Sequence, residues 1–153
     1  MTCEEFRRDY PVFSAAPAST LSSKEYQQWR RHLDGCGACG DFFQAEECRQ
    51  KGVDVGRFPC VHLAYYTASW VEDAGSLPSK AAIVYRPKFD EFGIHLFDGS
   101  VIGIRHCPFC GIALPPSRRE QWFCALRALG FDDPVVESIP ADFNTDAWYR
   151  RPA

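Results

Sequence analysis

His106-Cys107-Pro108-Phe109-Cys110-Gly111 decides how this chain is read. Two thiols three positions apart are half of a tetrahedral metal site. Pro108 presets its own φ and Gly111 tolerates φ values closed to other residues, so the backbone can curl and aim both sulfurs at one point. Half a site requires another half. Upstream, Phe58-Pro59-Cys60-Val61-His62 offers a thiol and an imidazole. Cys60, His62, Cys107 and Cys110 would make one complete set. In a strand running into Cys107 the side chains alternate, and His106 points away from it. His62 is therefore preferred to His106 as the nitrogen ligand.

A second cluster lies near the start. Leu21-Ser22-Ser23-Lys24-Glu25-Tyr26 reads as a helix start, with Ser22 and Glu25 as a capping box and Leu21 and Tyr26 as a hydrophobic staple. Tyr26, Trp29 and Leu33 fall on one stripe of that helix, and Gly35 stops it. His32 sits on its last turn, Cys36 follows the stop, and Cys39 opens the next helix, expected over 41–50 and ended by Gly52. Closed zinc sites take four nitrogen or sulfur ligands. Cys3 is the first choice for the fourth, because an N-terminal helix would pack on this pair; Cys48 is the second.

Composition narrows the setting. The chain has 153 residues, 46% of them hydrophobic, and a net charge of -3. That charge argues against a surface for nucleic acid. No apolar run is long enough to cross a bilayer, and the first ten residues carry charges without the apolar core of a leader. A cytoplasmic location follows, where thiols stay reduced. Eight cysteines there point to metal or redox chemistry before disulfides. Cys48 and Cys124 are read as small buried hydrophobes.

The expected fold class is α+β: a helical zinc-binding module over 1–52, then an antiparallel zinc-ribbon-like domain over 53–153. Residues 1–10 are open between a short helix and an extended arm, and 11–20 read as a linker. The apolar stretch 60–70 is open between strand and helix, and 75–80 is a turn region. A strand is expected over 81–86. Asp98-Gly99-Ser100 between 92–97 and 101–105 is a hairpin signal, with Ile94, Leu96, Ile102 and Ile104 on one face. Ser117 and Glu120 suggest a capping box for a helix over 117–130, with Trp122, Phe123, Leu126 and Leu129 as its stripe and Gly130 as its end. Residues 135–139 could add an edge strand. Phe143, Trp148 and Tyr149 suggest a docked tail.

Two resemblances follow from these motifs. Cys3, the helix start at Leu21-Ser22 and His32-Leu33-Asp34-Gly35-Cys36-Gly37-Ala38-Cys39 resemble the zinc-binding anti-sigma domain of bacteria. The resemblance implies zinc tying a small helical bundle whose helices bind a sigma factor; some members release it when a ligand thiol is oxidised. Residues 58–149 resemble small bacterial zinc-binding domains of unknown function with a Cys-Pro-x-Cys-Gly…Leu-Pro signature, which implies a fold and a metal but no activity.

Catalytic zinc keeps an open position and a nearby carboxylate base. Each cluster here offers four ligands, mostly thiolate, which makes the ion a poor Lewis acid. No phosphate loop, His-Glu-x-x-His helix or Gly-x-Ser-x-Gly elbow occurs. The reading is a non-enzymatic protein with two zinc ions that regulates by binding a protein partner, a sigma factor being the candidate. Its alternatives are a zinc-scaffolded adaptor or immunity-type protein and a thiol redox sensor.

Overall fold

The computed structural model describes residues 1–20, 22–68, 83–96, 98–135 and 137–150. Leu21, the turn region 75–80, residues 81–82, Phe97 and Val136, on which some expectations rested, lie outside them. The protein is α+β, with five α-helices and one three-stranded antiparallel sheet among the described residues. It forms two compact units, Met1–Ala68 and Ser69–Ala153.

The first unit is helical: α1 (Cys3–Ser14), α2 (Lys24–Gly35), α3 (Gly37–Gln50) and α4 (Val61–Ala68). α1 is longer than the sequence suggested and runs through Pro11. Proline removes one helical hydrogen bond and crowds the preceding turn. The helix persists because its inner face is committed to the core: Phe6 and Tyr10 are buried, with Phe13 packed beside them. A Thr2/Glu5 capping box starts it, with Glu5 N–H donating to Thr2 Oγ1 and Thr2 N–H to Glu5 Oε2. Residues 11–14, expected in a linker, therefore belong to α1.

Trp29 of α2 closes this core. Its ring stacks on Phe6 at 4.8 Å and its indole N–H donates to the Phe6 carbonyl. α2 is capped by Ser23, which accepts from Tyr26 N–H, one residue later than the Ser22 box expected. The segment open between strand and helix is α4, which packs on α3.

The second unit holds β1 (Ile83–Arg86), β2 (Glu91–His95) and β3 (Val101–Gly103), in the order β1-β2-β3. Ile83 faces Ile94, Tyr85 faces Phe92, and Ile94 faces Ile102. These side chains share one sheet face. Burial along it is uneven: Ile83 and Phe92 are buried, while Leu96 and Ile102, nearer the Asp98-Gly99 tip, are exposed. Gly93 is needed where the strands meet closely. A Cβ there would lie 2.4 Å from Val101 Cγ1 and 2.9 Å from the Ile102 carbonyl oxygen.

α5 (Arg119–Ala128) buries Trp122 and Leu126 against Phe89, while Leu129, past its end, is exposed. Its N-cap is Arg118; Ser117 Oγ accepts from Arg119 N–H, in place of the Ser117/Glu120 box. Glu91 organises this region. It accepts from Arg119 Nε at 3.0 Å and Nη2 at 2.8 Å, and from Ser117 Oγ at 3.0 Å. The tail docks as expected: Trp148 Nε1–H donates to the Lys88 carbonyl, and Trp122 Nε1–H to that of Phe143. No strand forms over 135–139 among the described residues, where turns and bends follow Pro134 instead.

Candidate metal centres

The first candidate centre grows from three helix ends. Cys3 is the first residue of α1, His32 lies in the last turn of α2, Cys36 joins α2 to α3, and Cys39 lies in the first turn of α3. One ligand atom from each of the four lies within 4.8 Å of the others. The Cys3 and Cys36 sulfurs are 3.7 Å apart, and His32 Nε2 is 3.3 Å from Cys39 Sγ. A tetrahedral zinc, bound at about 2.3 Å by sulfur and about 2.0 Å by nitrogen, sets these edges near ~3.8 and ~3.5 Å. The pairs therefore fit around one such ion. A disulfide needs sulfurs at about 2.05 Å, and none of the eight cysteines is in a disulfide.

Electrostatics favour a cation there. The backbone N–H of Cys39, at the start of α3, lowers the Cys36 thiol, and the Cys3 thiol adds to this. Burial pushes the Cys39 thiol up to about 12, reinforced by the neighbouring Cys3 and Cys36 groups. Three thiolates so close repel one another, and a dication would remove that penalty. His32 is held by packing, its ring tilted on Phe6 at 5.4 Å. Cys48, the second choice for fourth ligand, is buried in α3 outside this group, and burial raises its thiol.

The second set expected from the sequence, Cys60, His62, Cys107 and Cys110, draws two residues from each unit. Its members come from two local devices. In the first unit, Cys60 precedes α4 and its carbonyl accepts from Ala64 N–H at 3.2 Å, so the helix start fixes its backbone. His62 follows on the first turn, with Nε2 3.2 Å from Asp41 Oδ1 of α3. A carboxylate on one imidazole nitrogen orients the ring and leaves the other as the metal-facing atom.

In the second unit, Cys107 and Cys110 sit on a tight knuckle. Cys107 N–H donates to the Ile112 carbonyl, and Gly111 N–H returns to that of Cys107, both at 2.9 Å. Gly111 takes φ +74°, which makes the return turn affordable. Cys107 is buried and Cys110 exposed. His106 pairs by backbone bridge with Ala113 and stands outside the candidate group. Cys124 lies exposed on α5, not buried as expected.

Sequence reasoning missed two supports. Asp41 is set beside His62 by the packing of α3 on α4, and no sequence pattern announces it. The Thr2-x-x-Glu5 box that fixes the start of α1, and with it Cys3, was legible in the sequence.

A family model described as "Domain of unknown function (DUF6980)" matches residues 62–151. The matched span includes His62, Cys107 and Cys110 and excludes Cys60 and the first group. No anti-sigma family matches the N-terminal residues. No curated protein and no solved structure matches the chain. No helix among the described residues is long and apolar enough to cross a membrane.

Proposed function

Since the chain belongs to the family of domains of unknown function DUF6980, we propose a function from its sites: a non-enzymatic, zinc-scaffolded regulatory protein that acts by binding a protein partner. The convergence of Cys3, His32, Cys36 and Cys39 on one point carries this reading. Sulfur-rich sets suit zinc over hard cations, and four protein ligands leave no position for substrate or water. Cys60, His62, Cys107 and Cys110 would hold the second ion. Structural zinc supplies folding free energy to small modules that bury few residues of their own.

The partner surface is assigned to the helical unit. A groove of about 430 Å³ is bordered by Met1, Val12 and Phe13 with Glu5, Arg8 and Glu25, and Val12 is 66% exposed. An apolar stripe rimmed by alternating charges suits an amphipathic helix. A sigma factor is the partner that the N-terminal resemblance suggests. A second reading places the surface on the knuckle of the other unit, where Phe109 and Ile112 are 48% and 44% exposed.

Two measurements test this. Cobalt-substituted protein should show a tetrahedral thiolate spectrum that added azide or cyanide leaves unchanged; a shift would reveal an open position and a catalytic ion. Sigma factors from the host should be retained by the zinc-loaded chain and lost with Val12→Asp. Loss with Phe109→Ser and Ile112→Ser instead would favour the knuckle.

A further inference from the structure

The second unit carries a cleft that the metal groups do not use. It holds about 670 Å³, within the range of small-molecule sites, and its lining includes Arg86, Lys88, Arg119, Phe123, Val135 and Glu137. Three cations thus share the lining with one carboxylate, and that carboxylate already accepts from Asp133 N–H. Two of the cations are held by one carboxylate that is not itself part of the lining. Glu91 binds Arg119 through Nε and Nη2 and Arg86 through Nη1 at 3.4 Å. A guanidinium has five donors, so each arginine keeps donors for a further acceptor. The third cation is less engaged. The Lys88 ammonium lies 4.9 Å from the ring centres of both Phe89 and Trp122, and among the described residues it has no carboxylate partner. Beside these charges Phe123, Pro134, Val135 and Ile139 give the cleft an apolar wall.

We propose that this cleft binds a small carboxylate with an apolar body, its charge on Arg86, Lys88 and Arg119 and its body along Phe123, Val135 and Ile139. Preoriented arginines lose little freedom on engaging a carboxylate, which is what a built anion site requires.

The test uses the full zinc-supplemented chain, with 3-phenylpropionate as probe and 3-phenylpropan-1-ol as its uncharged counterpart. Binding is read from the nitrogen–proton NMR signal of the Trp122 indole. The carboxylate should give a saturable shift and bind about tenfold or more tightly than the alcohol, as expected for a charge-assisted contact. Lys88→Met keeps the stem and removes the charge. Because the backbone carbonyl of Lys88, not its side chain, anchors Trp148, the variant leaves the tail in place. It should weaken the carboxylate about tenfold and leave the alcohol unchanged. No saturable shift at millimolar carboxylate, equal binding of the two probes, or an unaltered affinity in Lys88→Met would each overturn the proposal.

Discussion

Cys39→Ser separates metal ligation from packing, because Cys48→Ser is its natural control. Both thiols are buried, Cys39 at 0% and Cys48 at 2% exposure. Both lie on α3, and each exchange puts a hydroxyl in place of sulfur. Only Cys39 belongs to a candidate ligand group. The shared cost of a buried hydroxyl is about 1–3 kcal/mol. The extra cost in Cys39→Ser comes from the ion. Structural zinc contributes about 10–16 kcal/mol in small modules; spread over four ligands, that is roughly 2.5–4 kcal/mol each. Such a loss weakens zinc by about two to three orders of magnitude. It should also lower the melting temperature by roughly 10–30 °C beyond the control, at ~4–8 °C per kcal/mol for a unit of this size. Circular dichroism at the helical band is the natural assay. The first unit holds helices of 12, 12, 14 and 8 residues against the 10 of α5. Zinc retained by both variants, with equal melting losses, would refute the reasoning.

Three further outcomes are expected. Asp41→Asn removes the carboxylate on His62 Nε2, 3.2 Å away, and should weaken zinc at the second group about 10–100-fold while the helices persist, as competition with a chromophoric chelator would measure. Gly93→Ala forces a methyl group toward Val101 and the Ile102 carbonyl and should cost about 1–3 kcal/mol or more in urea unfolding; an unchanged midpoint would deny that close approach. Glu91→Gln tests the arginine hub: Arg119 first, then Ser117, hold the Glu91 carboxyl below its usual range. A depressed carboxyl stabilises above its unfolded pKa and loses that contribution as pH falls through the folded value. The variant should therefore cost about 1–2 kcal/mol at neutral pH, the charged contact being partly screened because Arg119 is 40% exposed. The gap should close as pH falls below about 4.5; a gap constant with pH would contradict the ionic account.

The first candidate group and the Cys107/Cys110 knuckle were legible because local spacing limits where a thiol or imidazole can go. His32, Cys36 and Cys39 straddle one helix–helix junction, and the Cys107-Pro108-Phe109-Cys110-Gly111 turn has few ways to curl. The Asp98-Gly99 hairpin and the Trp122/Leu126 stripe followed from local pattern for the same reason. What escaped depends on tertiary packing. Pro11 reads as a breaker, yet the aromatic core beneath Phe6 and Tyr10 holds α1 through it. Val135 and Ile139 have the composition of a strand, but Pro134 and the docking of Ile139 on the Trp122 cluster lead the chain into turns. Asp41 acquires its role only when α4 packs on α3. Leu96 and Ile102 alternate like core residues, although burial on that face fades toward the hairpin tip.

Zinc counted per chain by native mass spectrometry addresses the central claim most directly. The account predicts two ions in the protein, one after Cys36→Ser with Cys39→Ser, one after Cys107→Ser with Cys110→Ser, and none when the four changes are combined. A protein that carries no zinc when purified in its presence, or that keeps the same count in both double variants, would contradict it.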